Sequence, residues 1–225
     1  MGRGSSKVGG SRNGGGNDLG SLPKGLYVEG SPGQYTKEAA DVIKGVKDVL
    51  KDFDMEENLR GIYYSNKTLT KGEADAAMNG MGDLTISPNY LSKGENNRSD
   101  VVSDTFYGTG AHEAGHNVVN GLLSKVEIEG DAKSENLKRA TARRKGKLEH
   151  EIIKEAKRRN GGTNPPISKY GSTKEIEKVA EAVSDVYANK GKANPYSKVI
   201  VGVMKDINNG TFRPKIKVSK REMGI

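Results

Sequence analysis

The sequence predicts an α+β fold, mainly helical, with a small β-sheet on the N-terminal side of the helix that carries two of its three histidines. Five segments repeat apolar residues every three or four positions, as helices with one buried face do. Two short strand-like runs both precede the histidine pair. No apolar run approaches the roughly 18 residues of a membrane span. At 225 residues the chain has the length of one ordinary domain, but 33% apolar residues, 30 glycines and a mean hydropathy of −0.72 limit the size of its core.

Residues 1–34 hold eleven glycines and few large apolar groups, which predicts a flexible Gly/Ser-rich leader. The folded domain is expected over 35–210. Its first helix is marked by Ala39, Val42, Ile43, Val46, Val49, Leu50 and Phe53. Gly61–Ser65 reads as a short strand, and Gly82–Ser87 as a second one that stops at Pro88. Ser103 or Asp104 is placed to cap a helix that turns Ala111, Val118, Val119 and Leu122 toward the core. A charged helix is expected within 131–160, with a thin stripe of Leu137, Leu148, Ile152, Ile153 and Ala156. Ser172 and Glu175 have capping-box spacing ahead of Ile176, Val179, Val183 and Val186. Asn194-Pro195 opens a last helix through Val199, Ile200, Val203 and Ile207 to Gly210, and 211–225 is a basic tail expected to be loose.

The chain has no cysteine, so disulfides, thiolate nucleophiles and thiolate-bound metals are excluded and any metal must sit on His, Asp or Glu. The formal charge of +8 is local: 131–160 alone has eleven Lys or Arg against five acids. The N-terminus lacks the apolar run of a secretory signal, so synthesis as a cytoplasmic protein is expected. Virion association or signal-independent export stays open.

His112-Glu113-Ala114-Gly115-His116 places two imidazoles one helical turn apart on one face, where both reach one ion at about 2.0–2.1 Å. Glu113, beside that face, can take the proton of a water acidified by the ion and pass it to a leaving amine. This is the pattern of a zinc metalloprotease. A catalytic zinc needs a third protein ligand. The spacing that would recruit a histidine at 122 fails, since Val119 and Leu122 stand where glycine and histidine are required. His150 is the remaining histidine, flanked by Glu149 and Glu151 on the charged helix. Glu181 is the better candidate, one turn from Asp185 and opposite the apolar stripe; a solvated helix face, bearing Glu177 as well, is the alternative for these acids.

HEAGH followed by a helix carrying EAVSD resembles the gluzincin, or thermolysin-like, zinc metalloproteases. The resemblance implies that Glu181 is the third zinc ligand and that Asp185 accepts the free ring N–H of a ligating histidine, His112 for choice. It implies an electrophilic role for Tyr170, just ahead of the ligand helix, and a substrate-binding edge strand at Leu84, Thr85 and Ile86. The 64 residues between His116 and Glu181 exceed the spacing of compact members, so 131–160 is expected as an inserted helix. Residues 100–208 are also similar to metallopeptidase-like domains of tailed-phage minor head proteins and of bacterial toxins. The expected activity is zinc-dependent cleavage of peptide bonds in a protein or peptide substrate, without a membrane partner. A virion- or toxin-associated structural protein with a retained zinc site is the alternative. Nucleic-acid binding through the basic helix and tail is a third reading, less favoured because no aromatic residues interleave the charges within the helix.

Overall fold

A computed structural model describes residues 27–28, 35–64, 76–87, 99–129 and 137–217. The fold is α+β and mainly helical. Its helices among these residues are α1 (Lys37–Asp52), α2 (Phe106–Leu122), α3 (Leu137–Arg159), α4 (Glu175–Asn189) and α5 (Pro195–Asn208). None is long and apolar enough to cross a membrane. Its strands are β1 (Tyr27–Val28), β2 (Gly61–Tyr64), β3 (Ala76–Met78), β4 (Asp83–Ile86), β5 (Glu127–Glu129) and β6 (Lys215–Lys217).

Strands β1 to β4 form one sheet in the order β1-β2-β4-β3, with β1, β2 and β4 parallel and β3 antiparallel. β4 is therefore internal, bonded to β2 on one side and β3 on the other, and Leu84 and Ile86 are fully buried core residues. The expected edge strand at 84–86 is corrected: the edge on this side is β3. Its Ala-Ala-Met sequence is short and lacks β-branched residues, so it carries no strand signal. Of the expected leader, Tyr27–Val28 is the described part, and it pairs with Gly61–Ile62 at the other edge.

Capping and apolar spacing explain α1. The Thr36 hydroxyl accepts from the Ala39 N–H, and Ala39, Val42, Ile43, Val46, Val49 and Leu50 are buried on one face. α2 is capped by Thr105, which accepts from the Gly108 N–H, one residue past the expected Asp104. The two helices cross with bare backbone at the contact. A Cβ on Gly110 would stand 1.9 Å from the Val42 carbonyl oxygen, and one on Gly45 would stand 2.2 Å from that of Tyr107.

α3 is not appended to the fold. Its Leu148, Ile152, Ile153 and Ala156 are buried in the common core, where the helix packs against α4 and α5. α5 starts as expected, with Asn194 accepting from the Tyr196 N–H and Pro195 in the first turn. The Ser172–Glu175 capping box does not form. A 3₁₀ turn at Tyr170–Ser172 comes first, the Ser172 hydroxyl donates to the Ser168 carbonyl, and α4 begins without a side-chain cap. The described part of the tail is not loose: Lys215–Lys217 pairs parallel to β5 and buries Ile216.

The helix crossing gives a direct test. Gly110→Ala drives a methyl into backbone that cannot rotate away, and is expected to lower stability by more than about 2 kcal/mol in thermal or urea unfolding. Gly146→Ala, in α3 with nothing within 4 Å of the new methyl, is expected to raise it by up to about 1 kcal/mol.

Candidate metal centre

α2 and α4 pack against each other across Gly115, the fourth residue of the HEAGH motif, where a Cβ would lie 3.1 Å from Ala180 Cα and 3.2 Å from Val183 Cβ. A larger residue would push α4 away from the histidine face. The Ser184 hydroxyl, buried, donates to the Gly108 carbonyl and sets the two helices in register.

This crossing brings an α4 carboxylate to the two imidazoles. Among the described residues one group can hold a metal ion: His112, His116 and Glu177, whose ligand atoms lie within 4.8 Å of one another. Glu177 Oε2 is 3.4 Å from His112 Nε2 and 3.7 Å from His116 Nε2. Ligand atoms placed about 2.0–2.1 Å from one ion in a tetrahedron lie about 3.4 Å apart, close to both carboxylate–imidazole distances, so the three could hold a common ion. That oxygen is buried and accepts no well-formed hydrogen bond, although both Nε2 atoms face it. A cation between the three atoms satisfies it.

Glu181 does not join this group. Its Oε1 accepts from His112 Nδ1 at 3.0 Å and its Oε2 from the Val102 N–H at 2.7 Å, so both oxygens are engaged on the far side of the imidazole. Holding the proton on Nδ1 leaves Nε2 free for the ion. Glu181 thus stands behind His112, where Asp185 was expected, and the carboxylate that faces the two Nε2 atoms, expected to be Glu181, is Glu177. Asp185 accepts from Asn189 Nδ2 and from the Asn194 N–H, both at 2.8 Å, and ties the end of α4 to the start of α5. The i,i+4 pair of acids occurs twice in overlapping frames, Glu177/Glu181 and Glu181/Asp185, and the structure uses the first.

Electrostatics agree with a site built for positive charge. Burial alone would lower the His112 pKa, but the Glu177 and Glu181 carboxylates outweigh it and raise it to about 9. The two imidazoles that face it, His112 and His116, hold the Glu177 carboxyl far below the usual range. The rings of His112 and His116 meet edge to face at 4.9 Å. Tyr170 lies beside His112, ring centroids 5.9 Å apart, with its backbone N–H donating to the Asp100 carbonyl. His150 is outside the group, on the exposed side of α3 with Nδ1 3.1 Å from Glu175.

Glu113 faces the sheet. Its Oε2 accepts from the Met78 N–H of β3 at 2.8 Å. In the β3–β4 ladder the Asn79 N–H bonds the Asp83 carbonyl, so by antiparallel alternation Ala77 also bonds inward while Ala76 and Met78 direct their backbone groups outward. The carboxylate is thus anchored to the edge that is unpaired among the described residues. Leu84, Thr85 and Ile86 lie one strand further in and have no such edge to offer.

α3 supplies two charged groups that the reading of 131–160 as an insertion passed over. Lys145 is in electrostatic reach of Glu149, Glu113 and Glu177, and its burial lowers its pKa. Glu149 is 2% exposed, its Oε1 lacks a hydrogen-bond partner, and burial raises its pKa to about 7, with Lys145 opposing and Glu177 and Glu175 adding to the shift. Their sequence signal was the i,i+4 Lys-Glu spacing within an apolar-striped helix.

The third ligand is checked by metal analysis of purified variants. Glu177→Ala is expected to lose most bound zinc, Glu181→Ala to weaken binding by about 10- to 100-fold, and Asp185→Ala to keep zinc while losing stability. Full occupancy in Glu177→Ala would return the role to another residue. Glu149 gives a pH test. From the ordinary value of 4.5 up to about 7 the unfolded chain has released this proton and the folded chain keeps it, so stability falls as pH rises through that window. Glu149→Gln is expected to raise stability by on the order of 1–3 kcal/mol above pH 7 and to change it little near pH 4, read from melting curves across the range. Comparison with protein-family models, curated proteins and solved structures finds no match to this chain, so its functional reading rests on the side chains themselves.

Proposed function

We propose that this protein is a zinc-dependent endopeptidase of gluzincin type. The reading is carried by one observation: the Nε2 atoms of His112 and His116 converge with Glu177 while Glu113, the next residue on α2, is anchored to a strand edge that is unpaired among the described residues. Two imidazoles and one carboxylate are a donor set of catalytic zinc sites, in which a fourth position is left for a reactant. When bound, zinc polarises a carbonyl and acidifies water.

The chain's own residues carry the rest. Glu113 takes the proton of the attacking water on its carboxylate and returns it to the amine that leaves. The Met78 N–H holds that carboxylate beside the strand edge, where the outward N–H and carbonyl of Ala76 and the carbonyl of Met78 can pair with an extended peptide and present its scissile bond. Glu181 keeps His112 in the tautomer that leaves Nε2 available. Tyr170, whose ring lies 5.9 Å from that of His112, would donate toward the oxyanion as it develops. The imidazole and Glu177 side chains are only 13–17% exposed, which limits water around the reacting atoms.

Zinc-loaded wild type and Glu113→Gln are compared on a peptide library read by mass spectrometry. The wild type is expected to cleave and the variant to lose about 10²- to 10⁴-fold in rate while retaining zinc. Equal cleavage by both would refute the role of Glu113. Zinc bound stoichiometrically with no cleavage by either would make the centre a structural one.

A further inference from the structure

The residues Asp100–Val102, just ahead of the Thr105 cap of α2, are irregular backbone held by groups from α4 and the turn before it. The Asp100 carbonyl accepts from the Tyr170 N–H at 2.8 Å. The Val102 N–H donates to Glu181 Oε2 at 2.7 Å, and the Val102 carbonyl accepts from Asn189 Nδ2 at 3.4 Å. Asn189 is steadied in turn by Asp185, to which its Nδ2 also donates at 2.8 Å. One short stretch of chain thus joins Tyr170, beside His112, to Glu181, behind it.

Glu181 is the member with the strictest requirement. It is 2% exposed, and among the described residues its donors are His112 Nδ1 on one oxygen and the Val102 N–H on the other. A buried carboxylate stays an anion only while its oxygens are hydrogen-bonded. Without the Val102 N–H, Oε2 would lose its donor and the carboxylate could rotate off Nδ1. With an ion on Nε2, the Nδ1–H of His112 is a stronger donor. A stronger bond there narrows the rotation of Glu181, and with it the motion of the Val102 amide and of the Asp100 carbonyl two residues away, which holds Tyr170.

We infer that the Val102 N–H is a positioning group of the metal centre, and that Asp100–Val102 couples occupancy of that centre to the placement of Tyr170. The inference rests on the metal centre of the proposed function and not on peptide cleavage. By linkage the coupling runs both ways, so freeing this segment weakens metal binding.

Zinc affinity of the full chain is measured by competition with a chelator, with the fold of each variant checked by circular dichroism. Val102→Pro deletes the N–H, whereas Val102→Ala keeps it and removes side-chain atoms alone. Val102→Pro is expected to bind zinc at least about 10-fold more weakly than wild type, and Val102→Ala within about 3-fold of it. Because the N–H acts through Glu181, adding Val102→Pro to Glu181→Ala is expected to cost less than about 2-fold more. Equal losses in the Pro and Ala variants, or the same loss from Val102→Pro in both backgrounds, would overturn the positioning role. Amide exchange followed by NMR reads the coupling. Saturating zinc is expected to slow exchange of the Tyr170 N–H at least about 5-fold in wild type and less than about 2-fold in Val102→Pro. Equal slowing in the two would overturn the coupling, and a wild type that binds no zinc would overturn the metal centre and this inference together. None of these readouts uses peptidase activity, so failure of the cleavage reading and failure of this inference are told apart.

Discussion

The crossing of α2 with its two neighbours is the constraint on which the rest of this molecule depends. α2 lies against α1 through Gly45 and Gly110 and against α4 through Gly115, and at each contact there is no room for a larger residue without displacement. Gly110 and Gly115 bracket the first histidine of the motif. The close approach to α4 is what lets a glutamate side chain of ordinary length reach both Nε2 atoms, and the Ser184–Gly108 hydrogen bond sets its level along the helix. Packing of apolar surface and small residues thus determines metal-site geometry, and the charged residues occupy a position prepared by the uncharged ones.

The charged groups are arranged in depth. His112 lies between two carboxylates, Glu177 at Nε2 and Glu181 at Nδ1, and Glu181 is held in turn by the Val102 N–H. Each buried oxygen of Glu181 has a donor, whereas Oε2 of Glu177 has none of good geometry. This asymmetry separates a carboxylate that positions His112 from one that could hold a cation. α3 then carries different chemistry on different faces: Leu148 and Ile152 to the core, Lys145 within electrostatic reach of Glu113 and Glu177, and Arg143, Lys147 and Lys154 to a groove shared with β6.

What could be read from the sequence follows the strength of each physical signal. α1, α2 and α5 were legible because a buried face every 3.6 residues is a redundant pattern, reinforced in α5 by Asn194-Pro195 at its start. β1 and β3 were not, since two or three residues cannot display a period. That gap misplaced the edge of the sheet by one strand. His112, Glu113 and His116 were legible as a local constellation, while the third acid was not, because Glu177, Glu181 and Asp185 lie on one ridge of α4 and spacing alone cannot say which faces the imidazoles. The level is decided by Gly115 and Ser184, residues whose function is contact. The thin stripe of α3 was legible, but its charged composition hid that Leu148, Ile152, Ile153 and Ala156 suffice to bury the helix in the common core.

The central claim is that Glu177 completes the metal centre and Glu181 supports it from behind His112. Crystals grown with zinc and measured on both sides of its absorption edge test this directly through the anomalous difference map. The account requires a single strong peak about 2.0–2.1 Å from Nε2 of His112, Nε2 of His116 and a carboxylate oxygen of Glu177, with Glu181 still on Nδ1. A peak coordinated by Glu181 in place of Glu177, or no peak at this position, would contradict it.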